Sequence, residues 1–137
     1  METRGVFAPE TEAEARTHYE TIGPTAQEVV REIAKAMEFD EDEYNERITP
    51  AVIETARDAL FASLLTVHLG TREEFTDWCA DHDYEVIETG SEHVDHVVWH
   101  VAPFAETVIA ATYQDETRAA IGTLRRQAYG RIYDELF

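Results

Sequence analysis

The chain has 137 residues, of which 44% are hydrophobic, and this composition excludes an intrinsically disordered chain. It carries 29 acidic and 11 basic side chains, and its net charge of −18 argues against a nucleic-acid partner, because phosphate binding needs a basic face. Since Cys79 is the single cysteine, an internal disulfide and a multi-cysteine zinc site are excluded.

N-cap signals predict four or five helices in the first 82 residues. Thr25 with Glu28 and Thr71 with Glu74 are predicted capping boxes, in which the two side chains satisfy free backbone donors. The longest predicted helix opens at Thr49 with Pro50 in its first position, carries a wide apolar stripe, and ends at Gly70. The other predicted helices open at Thr11, Thr25, Asp40 and Thr71, and the first of them ends at Gly23 and Pro24.

From Tyr84 onward the apolar period changes from about 3.6 to about 2, which is typical of strands. The segments 84–89, 94–102 and 107–113 are separated by short turns and predict a three-stranded antiparallel β-meander. Asp115 is the predicted cap of a last helix. Its apolar stripe consists of Ile121, Leu124, Ala128 and Ile132. The expected fold is one α+β domain over residues 1–137, with N-terminal helices, the meander and a C-terminal helix packed on it.

The distribution of charge indicates the solvent to which the chain is adapted. Acidic residues run from Glu2 to Glu135, and the longest block has four residues, so the charge does not form an acidic tail. Among the 11 basic residues only Lys35 is a lysine. Such a surface suits a cytosol of molar salt, where a Debye length of about 3 Å screens self-repulsion. The alternative is mimicry of a polyanion that binds a basic partner.

The same sequence predicts a cytoplasmic protein with no membrane segment. Residues 1–10 lack the apolar core of a signal peptide. The longest uncharged apolar stretch, 59–69, has 11 residues, whereas a membrane-spanning helix needs about 18–20.

The last predicted helix is the only basic segment of the chain, because residues 117–133 contain four arginines and no acid. Projected at about 100° per residue, arginine and tyrosine side chains flank one side of its apolar stripe. These residue types are favoured at interfaces, so we expect a partner or subunit interface or an anion site. Internal pairing with acidic helices is the alternative. The candidate residues are Arg118, Arg125, Arg126, Tyr129 and Tyr133.

The densest cluster of chemically active side chains lies in and before the second predicted strand. Its members are His93, Asp95, His96 and His100. On a strand, His96 and His100 share a face with backbones about 13 Å apart, which strains direct ligation of one ion, so no metal site is predicted. One histidine could act as a general acid or base with Asp95. The alternative is a polar sheet face.

Two other clusters are incomplete as metal sites. Cys79 and His82 have the spacing of two zinc ligands, but no second cysteine completes the set. Residues 40–46 are similar to a calcium loop, but Tyr44 and Asn45 occupy the positions of a ligand and of the required glycine. Phosphate-loop, dinucleotide and serine-nucleophile motifs do not occur, so no cofactor is predicted.

Three segments carry a family resemblance: residues 1–10 are METRGVFAPE, residues 23–27 are GPTAQ and residues 96–100 are HVVWH. Together they resemble an uncharacterised family of small acidic proteins from haloarchaea, over the whole chain. The resemblance implies a cytoplasmic haloarchaeal protein and no activity. The residues themselves assign no reaction. The lack of a catalytic motif favours partner binding or self-association, and a small enzyme or ligand-binding domain using the histidine cluster is the alternative.

Overall fold

The computed structural model describes all 137 residues and is of the α+β class, as the sequence predicts. The α-helices are α1 (Glu12–Thr21), α2 (Gly23–Ala36), α3 (Glu41–Arg47), α4 (Pro50–Ser63), α5 (Arg72–Ala80) and α6 (Thr117–Ala128). The strands are β1 (Glu2–Arg4), β2 (Val67–Thr71), β3 (Glu85–Thr89), β4 (His96–Ala102) and β5 (Thr107–Tyr113). A π-helical segment, Tyr129–Tyr133, follows α6, and 3₁₀ turns span Pro103–Ala105 and Asp134–Leu136.

Side-chain caps fix four helix starts where the sequence predicts them. At α5, Thr71 and Glu74 form a complete capping box. At three other helices one side chain accepts a hydrogen bond from a backbone amide three residues later; these caps are Thr11, Asp40 and Thr49.

Two helix starts differ from the prediction. Helix α2 begins at Gly23 rather than at Thr25, because Pro24 is favourable in the first turn, where its missing N–H costs nothing. Helix α6 begins at Thr117 after Glu116 and has no side-chain cap, so Asp115 does not act as its cap.

The predicted helix that ends at Gly70 is wrong in its last part. Helix α4 ends at Ser63, and the chain then extends into β2. A period of two describes this segment, because Leu65, Val67 and Leu69 are all buried and the residues between them are not. The three buried side chains belong to the larger core.

The sheet order is β1-β2-β4-β5-β3, and this order overturns the predicted meander in one pairing. Strands β4 and β5 form the predicted antiparallel pair, but β3 lies parallel to β5, with Glu85 opposite Thr107. Strand β2 pairs antiparallel with the other edge of β4. Because β2 and β5 occupy both edges of β4, β3 cannot pair with β4, and it joins the free edge of β5.

The two faces of the sheet cover separate cores. The larger core lies between the sheet and α1, α4 and α6, and it contains Phe61, Leu124 and Tyr133. The smaller core lies against α5 and contains Phe75 and Trp99. None of the helices has the length and apolarity that crossing a bilayer requires.

Candidate functional site

Helix α6 packs with one side on the larger core, and this fixes which of its side chains face outward. Ile121 and Leu124 are buried, as helical spacing predicts. Arg118 and Arg126 are exposed, and Arg125 is half-buried at the border of the core. We call these three arginines the cationic face.

A groove of about 280 Å³ lies between α4 and α6, beside the cationic face. It is lined by Ala59, Ala62, Ser63, Gly122, Arg125 and Arg126. The small residues keep it open, since a Cβ added to Gly122 would meet no other atom within 4 Å. Two guanidinium groups therefore stand beside a small, mostly apolar floor, which suits an anionic group on an apolar stem.

Arg125 is held in place by a backbone acceptor. Its Nε donates a hydrogen bond of 2.8 Å to the carbonyl oxygen of Leu65, in the connection between α4 and β2. Burial, followed by the nearby charge of Arg4, lowers the pKa of Arg125. The guanidinium nevertheless stays protonated at neutral pH, because an arginine cannot be deprotonated under these conditions. A partly desolvated, fixed cation is thus presented at the groove.

The arginines of the cationic face form no ion pair with a carboxylate within 4.0 Å. Elsewhere in the chain, Arg72 binds Glu88 through two nitrogens at 2.8 and 3.1 Å, and Arg31 binds Glu28 at 2.8 Å. Internal pairing with acidic helices, the alternative that the sequence leaves open, does not describe the cationic face. In a chain of net charge −18, it forms a group of three cations without an internal carboxylate partner.

The two candidate tyrosines, Tyr129 and Tyr133, lie in different environments. After Ala128 the helix widens into the π-helical segment, which places one extra residue in the turn. Tyr133 therefore takes the inward position that a regular helix would give to Ile132, and it is fully buried. Tyr129 is half-buried, and burial followed by the Asp58 carboxylate raises its pKa.

His100 and Tyr133 form a hydrogen-bonded pair that is buried inside the fold. The Nδ1 of His100 lies 2.6 Å from the carbonyl oxygen of Thr66, and its Nε2 lies 2.7 Å from the hydroxyl of Tyr133. Because a carbonyl can only accept, Nδ1 carries the proton and Nε2 accepts from the tyrosine. Burial lowers the pKa of His100 to about 4, so the ring is neutral at pH 7 and both nitrogens are occupied.

The other members of the histidine cluster lie at the surface. His93 and Asp95 are exposed in the loop before β4. His96 is also exposed and stacks on Tyr113 with 5.4 Å between ring centroids. A cavity of about 120 Å³ beside His100 is lined by none of these three residues. The structure therefore does not bring the four candidate residues of the cluster into one cavity.

His68 is the second histidine that lines that cavity. The sequence does not indicate it as a site residue, because the helix predicted to end at Gly70 includes this segment. His68 lies half-buried on β2, where its Nδ1 is 3.1 Å from the hydroxyl of Thr3. Burial lowers its pKa. The alternation of buried Leu65, Val67 and Leu69 is the signal that would have placed it on the opposite side of a strand.

The region around Cys79 is occupied by aromatic stacking. The ring of His82 stacks on Trp78 with 3.9 Å between centroids, and its Nδ1 donates to the Trp78 carbonyl at 2.8 Å. Burial and then the charge of Glu88 raise the pKa of the Cys79 thiol, which keeps it protonated. Nowhere in the chain do three or more His, Cys, Asp or Glu side chains converge in a geometry that could hold a metal ion.

Comparison with known proteins identifies one family. A family model described as "Family of unknown function (DUF5809)" matches residues 6–134. Comparisons with curated proteins and with solved structures give no match.

Proposed function

Because the chain belongs to the DUF5809 family, whose function is unknown, we propose a function from its own residues: it binds an acidic segment of a partner protein in the groove between α4 and α6. The observation that carries this proposal is the lack of an ion-pair partner for any arginine of the cationic face in a chain of net charge −18. Arg125 and Arg126 line the groove, and Arg118 lies one helical turn before Gly122.

The chemistry of arginine supports this choice of ligand. A guanidinium binds a carboxylate through two parallel hydrogen bonds, and such charge-assisted bonds are about twice as strong as neutral ones. The half-buried position of Arg125 strengthens the interaction further, since its charge is already partly removed from water. The apolar floor of Ala59, Ala62 and Gly122 would contact the aliphatic stem of the acidic side chain.

The proposal includes a setting in the cytoplasm of a haloarchaeon, at molar salt. Its support is the spread of acidic residues over the chain and the presence of Lys35 as the single lysine. At a Debye length of about 3 Å, the long-range repulsion between an acidic segment and a chain of net charge −18 is screened, so recognition depends on direct contacts. A half-buried arginine with a fixed geometry provides such a contact.

Binding of a fluorescent glutamate- and alanine-containing peptide, followed by anisotropy in KCl, tests the proposal. Replacing Arg125 and Arg126 together by glutamine should weaken binding by about tenfold or more, because each charge-assisted hydrogen bond contributes about 1.5–3 kcal/mol. The matched control replaces Arg16 and Arg31 by glutamine, which removes the same charge elsewhere on the surface. An equal loss in both double variants would reject the groove as the binding site.

A small carboxylate separates the proposal from its alternative, an anion site for a small molecule. Citrate that displaces the bound peptide in the unmodified protein supports a shared carboxylate contact. If citrate raises the melting temperature through Arg125 and Arg126 while the peptide fails to bind at all, the groove is a small-anion site and the partner proposal is overturned.

A further inference from the structure

Helix α2 carries a row of exposed apolar side chains. Val29, Ile33 and Met37 are 41%, 54% and 59% exposed, and they follow one another at a spacing of four residues. We call these three residues the α2 ridge; Met37 is the C-cap of the helix. The buried residues of the same helix, such as Val30, lie on the neighbouring side, where α2 packs against α4. The ridge is thus a second apolar stripe that nothing in the chain covers.

The charges of α2 distinguish it from every other helix. Its acidic and basic side chains pair within the helix, with Arg31 at 2.8 Å from Glu28 and Lys35 at 3.3 Å from Glu32. Residues 23–36 therefore have a formal charge of zero, whereas α1, α3, α4 and α5 are each net acidic and α6 is basic. At about 100° per residue, the four charged side chains lie about 100° or more around the helix from Ile33, and Glu32 is the one that flanks the α2 ridge.

We propose that the α2 ridge is a self-association face on which a second copy of this chain docks, with α2 crossing α2 about a two-fold axis at Ile33. Two copies of charge −18 repel one another, and apolar surfaces can approach at α2 with less repulsion than at the acidic helices. Apart from the acids that are paired within the helix, acids flank only the Met37 end of the ridge, at Glu38 and residues 40–43. A hydrophobic partner with basic flanks would instead be drawn to the acidic helices.

The ridge is complementary to itself in shape as well as in charge. Rows of side chains spaced by four residues interdigitate when two helices cross at about −50°. In a two-fold arrangement Ile33 meets its own copy, and the short Val29 of each chain meets the long Met37 of the other. The row is narrow, so we expect a dimer that forms with increasing protein concentration and that molar salt strengthens by screening repulsion.

Sedimentation velocity in about 1 M and about 3 M KCl tests the dimer. We expect the unmodified protein to shift from the 15.6 kDa monomer to twice that mass with rising concentration, and Ile33→Glu to remain monomeric. Ile33 is 54% exposed, so this substitution leaves the core intact. The control is Val86→Glu, which charges a 42% exposed valine on the edge strand β3 and should dimerise normally. A monomer at every concentration and salt, or equal loss in both variants, would overturn the proposal.

Thiol cross-linking tests the symmetry. In a Cys79→Ser background, Ile33→Cys places one thiol on each side of the two-fold axis, so oxidation should give a covalent dimer. Val86→Cys in the same background should give none under the same conditions. A cross-linked dimer through position 86 but not 33 would place the contact elsewhere, and it would reject the α2 ridge.

Discussion

His100 couples the stability of the folded chain to pH through one buried ring. The unfolded chain takes up a proton near the ordinary value of 6.5, whereas burial delays protonation in the folded state until about pH 4. The folded pKa is depressed, so the stability of the pair is complete above about pH 6.5 and is lost as pH falls toward 4. At about pH 5 this linkage costs about 2 kcal/mol.

Urea unfolding in molar KCl at about pH 7 and about pH 5 measures this linkage. We expect His100→Gln to be less stable at neutral pH, because the bond to Tyr133 changes, yet to lose less further stability on acidification than the unmodified protein. His93→Gln is the control, since His93 is exposed and shares the same background of titrating carboxylates. A pH response of His100→Gln that matches the control would show that His100 does not carry the linkage.

The position of Tyr133 shows where a sequence projection fails at the scale of single residues. A constant 100° per residue predicts Ile132 inside and Tyr133 on the arginine side of α6. The π-helical turn advances the chain by one residue, and Tyr133 points inward to His100, 33 positions away in sequence. No local pattern in residues 129–133 encodes that partner. The three arginines of the cationic face precede the π-helical turn, where Arg118 and Arg126 are exposed and Arg125 is half-buried.

At the scale of an element, α6 contains a glycine whose replacement should stabilise the fold. Glycine inside a helix is about 0.5–1 kcal/mol less favourable than alanine, because its unfolded backbone has more freedom. The space around the Cβ position of Gly122 is open. We therefore expect Gly122→Ala to raise the unfolding free energy by about 0.5–1 kcal/mol and to leave the rest of the groove unchanged.

Gly70→Ala provides the opposite case for the same measurement. A Cβ on Gly70 would lie 3.2 Å from the ring of Trp99, so the variant should lose stability as the ring or the strand shifts. The midpoints of urea unfolding, compared among the two variants and the unmodified protein, test both expectations. If Gly122→Ala is also destabilised, the backbone of α6 needs glycine for a reason other than open space.

The elements that the sequence predicts correctly are those with strong local signals. Thr71 and Glu74 mark the start of α5, and valine-rich segments mark β4 and β5. Strand β2 was not predicted, because residues 64–67 fit a helical stripe as well as an alternating strand. The backbone pairing of β2 with β4 favours the strand over the helix. Strand β1 has three exposed residues and gives no apolar signal. The parallel position of β3 depends on β2, so one missed strand changed the predicted topology.

At the scale of the whole molecule, the two proposed surfaces depend on salt through different interactions. Peptide binding at the cationic face relies on direct contacts between arginines and carboxylates, which salt weakens, while the long-range repulsion between an acidic peptide and a chain of net charge −18 is screened. Docking of two α2 ridges depends on apolar contact between acidic copies, so salt strengthens it. Ile33→Glu and the double replacement of Arg125 and Arg126 by glutamine therefore separate the two activities, and the failure of one leaves the other intact.

The stability of the chain should itself rise with salt, because −18 charges repel one another in dilute buffer. We expect the melting temperature to rise by more than about 5 °C between about 0.1 M and 3 M KCl, on a scale of a few degrees per kcal/mol. Three acids at the ends of helices face the negative pole of the helix dipole, and they are Glu20, Glu46 and Asp81. Replacing them by Gln, Gln and Asn should raise the low-salt melting temperature and change the high-salt value little. A melting temperature independent of KCl in the unmodified protein would contradict adaptation to molar salt.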